Sequence, residues 1–233
     1  MVKANLLHIR ERIEKVCSRT GRKPGDILLV AVCKTFPVSA NLDAMNAAQF
    51  DFGENKLQEL IRKRSYLYLS GERRAKWHMI GHLQTNKAKQ AVINADLFHC
   101  LDSIKLAEKL NEACVQLNKK AFDVLIQINS SGESSKSGIN PGELNIFLKE
   151  LRQFDRIRIM GLMSIGAFNE EPEDSRDEFR FMKGLFDYAK KHNGYNIDIK
   201  YLSMSMSNDY EVPIQEVANI IRIGTAIIGD RDK

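Results

Sequence analysis

Lys34 follows a continuously apolar run, ILLVAV from Ile27 to Val32, with only Cys33 between. A lysine carried into a barrel mouth by such a strand loses solvation of its charged form. The neutral amine is the nucleophile that condenses with an aldehyde. A lysine that snorkels to solvent from a strand end has the same local sequence. Ser207, Gly224 and Thr225 offer two hydroxyls and backbone N–H groups open to close approach, a set suited to phosphate oxygens. Ordinary turns use the same residue types. Arg222 lies two residues before Gly224, on the same strand face. A permanently charged arginine there needs an acceptor, which a pyridine-type ring nitrogen or a barrel carboxylate such as Asp51 would supply.

Other reactive residue types read as structural. His78 and His82 form HMIGH, not H-E-x-x-H, and Gly81 interrupts the helix that such a metal site would use. No metal is expected. His78 reads as a hydrogen-bonded core residue and Cys33, on the face opposite Lys34, as packing. The methionines read as core filler, with Met163 set at the pocket mouth.

The elements that must gather these residues alternate along the chain. Strand candidates are Ile27 to Val32, Phe50 to Phe52, Lys76 to Ile80, Leu97 to Leu101, Asp123 to Asn129, Ile157 to Met163, Ile199 to Ser203 and Ile220 to Ile223. An amphipathic helix, with Leu6, Ile9, Ile13, Val16 and Cys17 on one face, precedes them. Helical patterns separate them: a helix capped by Ser39, then Lys56 to Arg64, Thr85 to Ile93, Ile104 to Asn118, Pro141 to Leu151, Glu178 to Lys191 and Ile214 to Ala218. Eight strands alternating with helices predict a closed (β/α)8 barrel, for which an open doubly wound sheet is the competitor. In such a barrel the residues just after the strands share one face, and that face carries the site. Lys34, Gly53, Glu54, Asn55, Gly81, Ser130 to Gly138, Ser207, Gly224 and Thr225 all follow strands, and Met163 and Ser164 end the sixth. The segments Ser130 to Gly138 and Phe168 to Arg176 read as solvated loops.

Composition sets the class. The chain has 233 residues, 43% hydrophobic and 28% charged, with a net charge of +5. No apolar run approaches the ~20 residues that span a bilayer, and charges interrupt the N-terminus where a signal peptide needs an apolar stretch. A cytoplasmic protein with no membrane partner is expected. Cys17, Cys33, Cys100 and Cys114 show no C-x-x-C spacing. The basic stretch Ile61 to Lys76, with Tyr66 and Tyr68, reads as a solvated helix end and loop, so no nucleic-acid partner is expected.

Seven strings then carry a resemblance. AVCKTFP, FGENK, KWHMIGHLQTNK, INSSGESSKSG, GLMSIGAF, LSMSMSND and IRIGTAIIG stand in the order seen in the pyridoxal phosphate homeostasis proteins. These are small, single-domain relatives of the bacterial alanine racemase N-terminal barrel. The resemblance runs from about Ile27 to Arg231. It implies a single (β/α)8 TIM-type barrel of the alanine racemase N-terminal kind over residues 1–233, with the first helix at about 3–20 and the barrel at about 27–231. It also implies pyridoxal 5'-phosphate as cofactor, joined to Lys34 as a Schiff base (N6-pyridoxal phosphate). Asn55 would line the pocket near the ring, Arg222 would face the pyridine nitrogen, and Ser207, Gly224 and Thr225 would cradle the phosphate. Two positions depart from the family: Cys33 replaces the usual serine or threonine, and Ser205 replaces glycine in S-M-G-M-S.

The function so implied is homeostasis or delivery of the cofactor without established turnover, with no catalytic residue assigned. Expected partners are the cofactor and apo-forms of pyridoxal phosphate enzymes, and a monomer is expected. A racemase-like enzyme using Lys34 and a second base is the alternative. Racemases take that base, a tyrosine, from a C-terminal β-domain of the partner subunit, a domain this chain is expected to lack because it ends soon after the eighth strand. A class I aldolase-like barrel, with Lys34 attacking a sugar phosphate, is the third reading.

Overall fold

The run Leu28–Val32 is apolar throughout because both of its faces are covered; it forms β1. Seven strands follow: β2 (Asp51–Glu54), β3 (Lys76–Met79), β4 (Leu97–Leu101), β5 (Phe122–Ile128), β6 (Ile157–Ser164), β7 (Ile197–Ser203) and β8 (Ile220–Ile223). Each pairs in parallel with the next, and β8 returns to β1 with Arg222 opposite Val30, closing the barrel. The fold is the (β/α)8 barrel that the alternation predicts. The computed structural model describes residues 1–133, 137–166, 172–204 and 210–229.

Helices cover the outside. They are α1 (Val2–Thr20), α2 (Val38–Met45), α3 (Leu57–Leu69), α4 (Ala88–Asn94), α5 (Ile104–Gln116), α6 (Leu144–Leu151), α7 (Arg176–Lys190), α8 (Glu211–Gln215) and α9 (Thr225–Ile228). The predicted stripe Leu6, Ile9, Ile13, Val16 and Cys17 is the buried face of α1, which stops where Gly21 turns left-handed at φ 69°. Polar side chains of α1 and of the turn just after it bind the barrel where it closes. Asn5 Nδ2 donates to the Ile227 carbonyl (3.0 Å), and Arg22 Nη1 donates to those of Ile214 and Ala218 (2.7 Å each). Arg10 Nη1 donates to the Ala47 carbonyl (2.7 Å), so α1 and its C-terminal turn tie α8 and α9 to the end of α2.

Several boundaries depart from the sequence reading. Ser39 lies inside α2 and caps nothing; the helix starts from Pro37, whose φ of −68° and missing N–H suit a helix entrance. Gly53 and Glu54 belong to β2 and do not follow it. Helix α3 runs five residues past Arg64, α8 begins before Ile214, and α9 had no apolar period long enough to betray it. Met163 is fully buried on β6 and does not line the cavity at the barrel mouth. The tyrosines of the basic stretch are solvated, with Arg73 over the Tyr68 ring at 4.7 Å. Lys63, within that stretch, is 1% exposed and faces inward.

Candidate functional site

The C-terminal strand ends surround a cavity of about 440 Å³. Lys34 lines it from the turn after β1, Asn55 from beyond β2, Ile80, Gly81 and His82 from beyond β3, and Gln127 and Asn129 from the end of β5. Ile165 follows β6, and Arg222, Gly224 and Thr225 complete the wall from β8 onward. Five of the six site residues expected from the sequence therefore share one cavity. The sixth, Ser207, lies outside the described residues.

Lys34 is half-buried in a tight turn that is held from outside the barrel. Thr35, the next residue, has φ 70°, an unfavourable conformation for a β-branched side chain. Its N–H donates to Glu59 Oε1 (2.7 Å), and its hydroxyl donates to the Lys34 carbonyl (2.5 Å). On the other side of Lys34, Lys63 Nζ donates to the Cys33 carbonyl (2.6 Å). The same ammonium bridges Glu54 Oε1 (2.6 Å) and Glu59 Oε1 (3.0 Å). A buried ion cluster on α3 and β2 thus grips the chain on both sides of Lys34. Burial pushes the Glu54 carboxyl up to about 7, against the pull of Lys63, and its Oε2 has no partner. The Cys33 thiol is pushed up to about 12 by burial and then by Glu54, so it is inert packing, as the sequence suggested.

Arg222 is 6% exposed on β8. Its Nη1 donates to Ser203 Oγ (2.5 Å) and its Nη2 to the Ser164 carbonyl (2.8 Å). Asp51, the carboxylate considered for it from sequence, instead pairs with His78 Nε2 at 3.1 Å, because both stand toward the far end of the barrel. The Ser164 hydroxyl is buried without a partner. His78 is the hydrogen-bonded core residue expected. His82, four residues on, is exposed at the cavity wall with Nδ1 3.3 Å from Asp102 Oδ2. The two histidines of HMIGH therefore serve separate places.

Backbone packing sets the remaining wall. A Cβ on Gly81 would come within 2.2 Å of the Asn55 carbonyl, so glycine lets the loops after β2 and β3 touch. Thr225 is exposed at the start of α9, and the Gly224 carbonyl accepts from Ile227 and Ile228 N–H (2.9 and 3.0 Å). Gln127 lines the cavity while its Nε2 donates to the Ser137 carbonyl (2.9 Å), tying the loop after β5 to the mouth. Sequence reasoning placed Ser164 at the end of the sixth strand but missed Ser203, Gln127 and the pairing of Glu54 with Lys63. For the strand residues the one signal was a polar side chain inside an otherwise apolar strand; Lys63, on α3, gave none.

The family model described as alanine racemase, N-terminal domain, matches residues 4–232. The pyridoxal phosphate homeostasis protein of Haemophilus influenzae is 38% identical over 231 residues, 99% of this chain and 96% of that one. That of Aquifex aeolicus is 36% identical over 226 residues, 97% and 96% of the two chains. The structure of PipY from Synechococcus elongatus with PLP bound superposes with a TM-score of 0.80 at 30% identity, covering 94% of this chain and all (100%) of that one. Alanine racemase from Corynebacterium glutamicum shares the fold, with a TM-score of 0.67 at 18% identity, over 97% of this chain and 59% of that one. The chain thus belongs to the alanine racemase N-terminal domain family, among the pyridoxal phosphate homeostasis proteins.

Proposed function

We propose that the barrel mouth holds pyridoxal 5'-phosphate, bound covalently through Lys34, and that the protein buffers or delivers this cofactor in the cytoplasm without turning over a substrate. One observation carries the reading. A half-buried lysine from the β1 turn and a buried arginine from β8 line the same cavity. The remaining residues fit the group. Lys34 supplies an amine for an aldehyde carbon, and Arg222 a donor for a ring nitrogen. The Thr225 hydroxyl and Gly224 backbone suit phosphate oxygens, with Ser207 assigned to the same role. Asn55 lies on the wall beside the ring. Ser164, whose carbonyl accepts from Arg222, also has a buried hydroxyl with no partner. A cavity of about 440 Å³ lies within the range of small-molecule sites. The homeostasis proteins and the PLP-bound PipY structure support the same assignment. A single functional domain, a monomeric state, and apo-forms of pyridoxal phosphate enzymes as recipients belong to this proposal.

When bound, the cofactor supplies an aldehyde that captures amines and a ring that can draw electrons from a neighbouring carbon. Arg222 governs the second capability. A guanidinium is permanently charged, so Arg222 would stay a donor at every accessible pH and would leave the ring nitrogen without a proton. Electron withdrawal by the ring is correspondingly weak. The racemase-like reading keeps one support: His82 lines the cavity with its imidazole oriented by Asp102, as a second base would be.

Hydrogen exchange at the α-carbon of L- and D-amino acids in heavy water separates the two. The expected result is a change in the cofactor's visible absorption on adding amino acids, with negligible exchange. Fast exchange, abolished by either Lys34→Ala or His82→Ala, would establish the racemase-like reading instead.

A further inference from the structure

Branched aliphatic side chains usually fill the interior of a (β/α)8 barrel. Here a column of polar groups crosses part of it. Asp51 Oδ1, at the start of β2, lies 3.1 Å from His78 Nε2 on β3. His78 Nδ1 lies 2.9 Å from His99 Nε2 on β4, and His99 Nδ1 lies 3.2 Å from Ser203 Oγ at the end of β7. Ser203 Oγ accepts from Arg222 Nη1 at 2.5 Å. His78, His99, Ser203 and Arg222 are buried, whereas the Asp51 side chain is 27% exposed at the end of the barrel opposite the cavity.

With both imidazoles neutral, the two ends of this column set the direction of every hydrogen bond. Arginine only donates, so Ser203 Oγ accepts from it. A carboxylate only accepts, so His78 Nε2 carries a proton. With both rings neutral, His78 Nδ1 must accept and His99 Nε2 must donate. His99 Nδ1 then accepts, and the Ser203 hydroxyl proton points to it. Burial first, then His78 and Arg222, hold the His99 imidazole well below its usual range, which keeps that ring neutral.

We propose that Asp51, His78, His99 and Ser203 are positioning residues for Arg222, forming a one-way hydrogen-bond chain from a carboxylate at the far end of the barrel to the guanidinium at the cofactor cavity. This rests on the proposed placement of pyridoxal phosphate with its ring nitrogen at Arg222. The chain keeps the Ser203 oxygen turned to the guanidinium by giving the hydroxyl proton a fixed acceptor in His99. Asp51→Asn retains the shape but can present an N–H to His78, so the far end no longer imposes a direction. A change at the opposite end of the barrel is then felt at the ring nitrogen.

Two measurements test this, one of them without cofactor. Long-range nitrogen–proton NMR of the cofactor-free protein should find both His78 and His99 neutral and protonated on Nε2. A proton on Nδ1 of either ring would overturn the chain. In the second, Asp51→Asn should weaken retention of pyridoxal phosphate roughly two- to tenfold, the worth of one hydrogen bond. An analogue with carbon in place of the ring nitrogen should bind unaltered protein and variant equally. Ser203→Ala should discriminate between the ligands in the same way, and it carries the comparison if Asp51→Asn does not fold. Equal losses for both ligands would overturn the positioning role. Failure of the unaltered protein to bind pyridoxal phosphate would sink the cofactor placement and the positioning role with it, whereas the tautomers would still decide the hydrogen-bond chain.

Discussion

Thr35 holds a left-handed backbone beside the lysine of the site, a conformation that costs a β-branched residue about 1–3 kcal/mol and persists only where neighbours enforce it. Glu59 and Lys63 are those neighbours. Glu54 makes the grip pH-dependent. Its folded carboxyl is raised to about 7 by burial, so the folded state holds a proton that the unfolded chain has released. The resulting stability is full below the ordinary carboxylate range and is lost as pH rises from about 4.5 through about 7. Glu54→Gln should flatten that decline in melting temperature between these limits; an unchanged slope would mean that Glu54 is ionised in the fold. At the mouth, Thr225→Ala should weaken retention of pyridoxal phosphate roughly two- to tenfold, the worth of one hydrogen bond, and leave pyridoxal nearly unaffected. Equal effects on both ligands would remove Thr225 from the phosphate. Lys34 and Arg222 were legible in sequence because a cation at the end of, or inside, an apolar strand is conspicuous. Lys63 was not, since it lies in a basic stretch and its carboxylate partners come from a strand and from one helical turn earlier.

The loops that shape the cavity depend on close contact between neighbouring βα units. Gly81→Ala would force a Cβ against the Asn55 carbonyl, where backbone must move to make room. The expected outcome is a folded barrel that retains pyridoxal phosphate poorly, with Asn55→Ala losing less, because the glycine places a backbone and the asparagine only a side chain. Full retention by Gly81→Ala would show that this contact does not shape the site. Strands were the most legible elements. β4 and β8 lie where the apolar runs end, because the following residues, Asp102 and Gly224, cannot extend a buried strand. Helix ends were less so. Ser39 looks like a cap in isolation, yet Pro37 had already started the helix, and α9 is a single turn with no period to read.

For the molecule as a whole, eight parallel strands bring residues from opposite ends of the chain to one rim. Lys34 and Thr225 are far apart in sequence and line the same cavity because β8 closes on β1. Helix α1 through Asn5, and the turn after it through Arg22, reinforce that closure. The strand count made the closure readable from sequence. The polar column inside was not readable, since His78, His99 and Ser203 meet only once the barrel has closed. In the proposed function this rim holds pyridoxal phosphate covalently at Lys34. Borohydride treatment of the cofactor-loaded protein, followed by peptide mass mapping, tests it most directly. The cofactor should be fixed on the peptide containing Lys34, and a folded Lys34→Ala protein should carry no label. Label on any other lysine, with Lys34 unmodified, would contradict the assignment.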